Sequence, residues 1–258
     1  MTRLTYHEGN HSYWLDDGAG RRDRAVSVSS LRKTLHTFEG ERYYLGLAAT
    51  AAADDWQRFN DLAPTSRQAE LLAAAQYAST APAAFGTAVH HYCAELWQGG
   101  RVELPAEYQG HVEAAARWWD AQQCKLIAAE QLCFTDGDDM RVPIAGRFDL
   151  LVDHPTRGVG LIDLKTWRAG SSGQPRKSEW AFQLAAYAGM SYAVDQAGDD
   201  VTMPRIDWAA VLHVGPPGVS LYTLPAAAWR RADDQIDLAR ALRALPKPTM
   251  TLEGEDDQ

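Results

Sequence analysis

Residues 146–167 read GRFDLLVDHPTRGVGLIDLKTW, two apolar runs joined by the turn-rich segment HPTRG. Each run carries one aspartate, Asp149 and Asp163, and Lys165 follows two residues after the second. Short apolar runs bounded by Gly and Pro read as strands. A charge on a core strand is costly unless it is paired or hydrogen-bonded, so two carboxylates and an ammonium here demand a chemical reason. Strand side chains alternate, so Asp163 and Lys165 share a face with α-carbons about 6.5–7 Å apart, while Ile162 and Leu164 face the core. The same alternation puts Phe148, Leu150 and Val152 on one face of the first strand and Asp149 and Leu151 on the other. Pairing the strands through HPTRGVG brings Asp149 beside Asp163. Carboxylates that close repel, so one protonates or a cation enters. Magnesium and manganese suit a site of carboxylates, a carbonyl and water. Taken alone, the pattern equally fits a strand-end aspartate and a surface lysine in a weak ion pair.

The surrounding chain reads as an α/β protein. Residues 4–30 form a hairpin region: HSYWL is aromatic-rich and DDGAGRRD is a turn cluster. SVSSLRKTL offers a serine N-cap and a periodic helix. Residues 41–80 are alanine-rich and helical with a break at LAPTS, and a further helix starts near Pro82 and runs through AFGTAVHHYCAELWQ. EYQGHVEAAARWWDAQQ is another helix, KLIAAEQLCF a strand, and RVPIAGRFDLLVDH and VGLIDLKTW the two strands already described. SEWAFQLAAYAGMSYAVDQ is a serine-capped helix, IDWAAVLHVG and VSLYTL form a hairpin across PPG, and AAAWRRADDQIDLARALRAL closes the chain. The expectation is one domain over 1–258. An N-terminal hairpin and helical elaboration spans 1–81, a core spans 82–245, and the acidic tail 246–258 is disordered.

Bulk properties narrow the function. The net charge of −9 argues against a passive nucleic-acid coat, which would be basic, but not against an enzyme that grips phosphate locally. Cys93, Cys124 and Cys133 form no CxxC pair, so a structural zinc site and a four-cysteine iron–sulfur cluster are not expected, and buried free thiols are. No apolar run approaches the ~20 residues of a membrane helix, and the first residues lack a signal peptide's apolar core. A cytoplasmic location, in a bacterium or a phage-infected host cell, is the expectation.

Two more signals lie outside the strands. Gln183 and Tyr187, four apart, share a helix face, and His90 follows Gly86 by four residues on the earlier helix. With Glu130, Gly146, Asp149, Asp163 and Lys165, these residues stand in an order that resembles the PD-(D/E)XK nuclease superfamily. The likeness is to its RecB-type branch of phage exonucleases and CRISPR-associated relatives, and it covers about residues 82–192. That branch shows G-x-x-x-H on a helix, a glutamate on a first strand, G-x-x-D, then D/E-x-K, and Q-x-x-x-Y on a helix. HSYW and VSVSSL also resemble openings of phage members. Some relatives carry a four-cysteine iron–sulfur staple that this chain lacks.

The resemblance implies a restriction-endonuclease-like core, a central mixed sheet flanked by helices, that hydrolyses DNA phosphodiesters with Mg2+ or Mn2+. It implies that His90, Asp149, Asp163 and the Leu164 carbonyl hold the metal. Lys165 then orients or deprotonates water or balances charge, and Gln183 and Tyr187 position phosphate or water. Glu130 is a catalytic candidate, or equally a carboxylate facing solvent or an arginine. Arg147, Arg168, Arg176 and Lys177 are candidate phosphate contacts, the last three in or beside a Gly/Ser-rich loop that reads equally as solvated. Trp118, Trp119, Trp167 and Trp180 stack bases or simply pack. The expected activity is an exonuclease that resects DNA with free ends for recombination or repair. A recombination or single-strand-binding protein would be its partner, with a homo-oligomer compatible. The alternatives are a structure-specific or CRISPR-associated-like endonuclease and a catalytically inactive DNA-binding module.

Overall fold

The strand expected over the first aspartate forms as β5, Ile144–His154, and it is the trunk of the sheet. The computed structural model describes residues 3–35, 37–167, 177–215 and 218–245, and only the backbone of 37–43 and of 81. Along one edge of β5 lies β4, Lys125–Thr135, antiparallel from end to end. The other edge is shared. At its start β5 pairs in parallel with β3, Arg22–Ser27, through Val26–Ile144 and Ser27–Ala145. At its end it pairs antiparallel with β6, Gly158–Thr166, from Leu150–Ile162 to His154–Gly158. Between those two ladders residues 146–149 have no strand partner on that edge, and the first aspartate sits in this gap.

The sheet extends outward from both branches. β1 (Arg3–His7), β2 (Ser12–Asp16) and β3 form an antiparallel meander, so the expected N-terminal hairpin gains a third strand that joins the main sheet. β4 continues to β7 (Tyr192–Val194) and β8 (Asp200–Thr202). β6 pairs in parallel with β9 (Trp208–Gly215), which turns back into β10 (Gly218–Thr223), the late hairpin expected from the sequence. The result is a mixed, curled sheet of the α/β class.

Helices cover both faces. α1 (Val28–Arg32), α6 (Lys177–Ala188) and α7 (Ala226–Ala244) pack a core that includes Leu31, Phe148, Leu151, Leu161, Phe182 and Ile236. Its serine cap is real: Ser27 accepts the Ser30 N–H, which satisfies one of the helix's open donors. The opposite face carries the second half of α4 (Pro64–Trp97) and α5 (Ala106–Gln122), with Phe85, Val89, Leu150, Ile162 and Leu164 between them. α2 (Thr37–Asp54) lies along α4, and the short α3 (Trp56–Asn60) leads into it.

Three expectations are corrected. First, Pro82 does not begin a helix: α4 starts at Pro64, after the LAPTS break, and runs through Pro82. An internal proline removes one donor and crowds the preceding turn, but α4 is held by packing against α2, α5 and β6. Second, α6 ends at Ala188 rather than continuing to Gln196. The Gly189 and Met190 N–H groups donate to the Ala185 and Tyr187 carbonyls, and residues 192–194 then leave to pair with β4. Third, the strict alternation on β5 fails at Asp149. Phe148 and Leu151 both belong to the α1–α6–α7 core, whereas Leu150 and Val152 belong to the α4–α5 core. β4 slips in facing, though not in register, between Ala129 and Cys133, because Cys133 and Ala128 share one core while Ala129 lies in the other; its register shift lies between Leu126 and Ala128. The acidic tail 246–258 lies outside the described residues.

Candidate active site

The slip centres on Glu130 and Asp149. Ala129–Leu150 and Gln131–Phe148 are paired rungs, so Glu130 stands opposite Asp149 between them. Glu130 has a φ of +50°, a conformation that disfavours a side chain with a Cβ and is kept only where its surroundings enforce it. On the other side, the Leu150–Ile162 rung places Asp163 next in line to Asp149. Three acidic residues from three neighbouring strands thus form one row across the sheet. The ladder does not continue there. Instead the Leu164 N–H donates to Asp149 Oδ2 at 2.6 Å.

His90 reaches the row from α4. Its Nδ1 lies 3.5 Å from Asp149 Oδ1 and 3.6 Å from Glu130 Oε1. Gly86, one turn earlier, lets α4 lie close to the end of β6, since a Cβ there would meet Thr166 Oγ1 at 3.3 Å. His91 points away and is exposed, as the ~100° step between helix neighbours requires. Donor atoms of His90, Glu130 and Asp149 all fall within 4.8 Å of one another.

Asp163 and Lys165 complete the row. Lys165 Nζ lies 2.6 Å from Asp163 Oδ2, a charge contact rather than an aligned hydrogen bond, and the buried Asp163 Oδ1 has no hydrogen-bond partner. Gln183 and Lys165 line one cleft between α6 and α1, together with Arg32. Tyr187, one turn from Gln183 and hydrogen-bonded to it, packs on the β5 backbone at Gly146. A Cβ at Gly146 would stand 2.5 Å from Tyr187 Cε1, so the glycine admits the ring.

The electrostatics divide the two aspartates. Burial disfavours the charge on Asp149, but His90, Lys165 and the Leu164 N–H together hold its pKa below the ordinary value. Burial pushes Asp163 up to about 6; Lys165 pulls against this and Asp149 adds to it. Burial also opposes charge on His90 and Lys165, yet the facing carboxylates raise His90 to about 10 and raise Lys165 as well. Burial, with Cys133 and the nearby aspartates, lifts Tyr187 well above its usual range, so it is a hydroxyl donor at neutral pH. A buried cluster with pKa values driven apart is the environment in which acid–base and electrostatic chemistry is done.

These donors fit a divalent cation. Carboxylate oxygens and one imidazole nitrogen suit magnesium or manganese, and Asp163 Oδ1, buried and without a hydrogen-bond partner among the described residues, adds a further oxygen donor beside them. The three-donor group is His90, Glu130 and Asp149; Asp163 borders it across Asp149. Leu164, expected to offer its carbonyl, contributes its N–H to Asp149.

The remaining expected residues lie around the centre. Arg147 is exposed, stacks over the Tyr6 ring at 5.1 Å, and lines a groove with Glu130. Lys177 is exposed at the start of α6, with Nζ 5.6 Å from the Tyr222 ring centroid. Arg168 and Arg176 lie outside the described residues. Trp118 and Trp119 pack against the α4–α5 core, and Trp180 is buried in the opposite one. Sequence reading missed Arg32 and His111. Arg32 pairs with Glu179 at 3.1 Å beside the Lys165 cleft. His111 Nε2 binds the Trp167 carbonyl at 2.8 Å and pins the exit of β6. Neither carries a local motif, because each acts on residues more than fifty positions away.

No curated protein matches the chain. A solved structure described as "Crystal structure of SSO0001" superposes with a TM-score of 0.33 at 14% identity, over 86% of this chain and 79% of that one. The family model of the PD-(D/E)XK nuclease superfamily matches residues 60–213, more than half of the chain and every residue of the acidic row. The chain belongs to the PD-(D/E)XK nuclease superfamily.

Proposed function

We propose that this nuclease is a Mg2+- or Mn2+-dependent deoxyribonuclease that degrades DNA from free ends, of the RecB-type branch, and that it serves recombination or repair in the cytoplasm. The observation that carries the hydrolytic reading is the row Glu130–Asp149–Asp163, flanked by His90 on one side and Lys165 on the other. A dead fold would gain stability by replacing such buried charges, since burying them is costly. The end-directed reading is supported by the order of the motifs, from the Gly86–His90 helix to the Gln183–Tyr187 helix, which resembles that branch.

His90, Glu130 and Asp149 would hold the cation, with Asp163 beside them, and the cation would displace the proton that the facing carboxylates keep on His90. Bound there, a divalent cation supplies Lewis acidity toward a phosphoryl oxygen and toward water. Lys165, kept protonated by Asp163 and Asp149, donates to the attacking water or to the phosphate oxygens as negative charge grows. Gln183 and the protonated Tyr187 hydroxyl offer neutral donors from α6 and fix the phosphate's orientation. Phe182, buried beside Lys165 and Gln183 in their cleft, keeps the local dielectric low and strengthens these contacts.

Digestion of end-labelled linear DNA and covalently closed circles tests this, in chelator, in Mg2+ and in Mn2+. Linear DNA should shorten only with metal while circles stay intact. Cut circles would shift the assignment to an endonuclease. Binding without cleavage in any metal would make the chain a DNA-binding module.

A further inference from the structure

Trp180 separates two cavities. On one side is the cleft that holds Lys165 and Gln183. On the other is a groove of about 490 Å³ between the first turns of α6, the strand β10 and the start of α7. Leu184 and Val211 form its floor, Trp180 and Tyr222 its walls, and Lys177 its rim. Val211 is the β9 partner of Asp163, and His213 the partner of Lys165, so the groove begins one strand away from the acidic row.

Aromatic rings are concentrated at this junction. The His213 ring lies 5.2 Å from Trp180, 6.0 Å from Tyr222 and 6.2 Å from Trp167, and Trp180 lies 5.6 Å from Tyr222. Gly215 allows the Trp167 indole to lie on the β9 backbone, because a Cβ at that position would fall inside the ring. Packing alone would place these rings inside a closed core. Here Tyr222 is only half-buried, and Trp180, itself buried, shows an edge to each of the two cavities. The groove is mostly apolar, with Thr223 in its lining and the Lys177 ammonium beside the Tyr222 face. Flat π surfaces, an apolar floor and one cation at the lip suit a planar base that carries a phosphate.

We propose that this groove is a nucleobase subsite: Tyr222, backed by the edge of Trp180, receives an unstacked base of the same strand whose phosphate lies at Lys165, and Lys177 meets the adjoining phosphate. The inference rests on the nuclease reading and deepens it. The enzyme engages at least one unpaired nucleotide, so tailed or frayed ends bind better than blunt duplex. Adjacency to the Lys165 cleft across Trp180 favours this occupant over a peptide, which would have no reason to abut the acidic row.

The test uses the full-length protein in chelator, where DNA is bound and not cut. A duplex with a short single-stranded tail carrying 5-iodouracil is irradiated and the cross-linked residue is identified by mass spectrometry. Affinities for the tailed duplex and a blunt duplex of equal length are measured by fluorescence anisotropy. Cross-links should map to Tyr222 or Trp180. Tyr222→Ala should weaken the tailed duplex by roughly tenfold or more and the blunt duplex by less than twofold, the loss expected of one stacked base. Tyr222→Phe keeps the ring and should bind as wild type, which separates stacking from misfolding. Lys177→Ala should weaken the tailed duplex and flatten its salt dependence by about one phosphate's worth. Cross-links elsewhere, or equal tailed-duplex affinity in Tyr222→Ala, would overturn the subsite while leaving metal-dependent cleavage intact. A wild-type protein that neither binds nor cuts DNA would overturn the nuclease reading and the subsite with it.

Discussion

Asp149 Oδ2 accepts the Leu164 N–H at 2.6 Å at the point where the β5–β6 ladder has ended. The side chain thus stands in for a backbone carbonyl, and it ties the two acidic strands together while freeing Oδ1 to face His90. The gap in the sheet and the placement of the acid are one feature.

A divalent metal should stabilise the fold as well as enable cleavage. The acidic row is strained by mutual repulsion, and a ligand that binds only the folded state raises stability by mass action. Mn2+ or Mg2+ at a hundredfold excess over Kd should raise Tm by about 5–10 °C for a chain of this size. Differential scanning fluorimetry with and without chelator measures it, and an unchanged Tm in both metals would argue against the site.

Lys165→Ala should abolish cleavage, by about a hundredfold or more, while leaving metal affinity nearly unchanged. An ammonium cannot ligate a cation, so its role lies with water or phosphate. Calorimetry and single-turnover digestion on the same preparation separate the two effects. Near wild-type turnover would refute the assigned role.

The histidine doublet gives a ranking. His90 faces Asp149 and Glu130, whereas His91 is exposed. His90→Ala should weaken Mn2+ binding by about tenfold or more, and His91→Ala should stay within a few-fold of wild type. The reverse order in a manganese titration of turnover would assign the ligand to His91.

Gly146→Ala should destabilise the protein by about 1–3 kcal/mol, the usual cost of forcing a methyl group into a packed core. The new Cβ would crowd the Tyr187 ring, so Gln183 and Tyr187 should move and kcat should fall along with Tm. Chemical denaturation and kinetics on one variant check both. A stability equal to wild type would mean that the ring is freer than its packing shows.

The thiols should report the cores. Burial pushes Cys93 up to about 12 and Cys133 higher still. At pH 8 neither should react with an aromatic disulfide until the protein unfolds, while the half-buried Cys124 should react in the native state. Because the folded pKa of Cys93 exceeds the unfolded value, its contribution to stability is complete below pH 9 and is lost as pH rises through about 12. Cys93→Ala should therefore show a smaller fall in Tm above pH 9 than the wild type does. Rapid labelling of all three thiols at pH 8 would contradict the packing.

The strand pattern around Asp149, Asp163 and Lys165, the serine cap at Ser27, the late hairpin and the Gln183–Tyr187 pair were all legible in the sequence, because each depends on residues within a few positions of one another. Pro82 and the end of α6 were misread for the complementary reason. There, local signals were overruled by contacts with α2 and with β4, which lie far away along the chain. The alternation rule predicted one face for Phe148 and Leu150, and the tertiary structure separated them. β5 has two successive partners on one edge, and the gap between them is where Glu130 takes a positive φ opposite Asp149, where His90 enters from one helical layer and where Tyr187 approaches from the other. The sequence by itself determined which carboxylates and which lysine stand on neighbouring strands, since side-chain period and turn length settle that. Only the tertiary structure decided that Glu130 joins His90 and Asp149, because that meeting depends on where separate strands and helices pack rather than on any spacing along the chain.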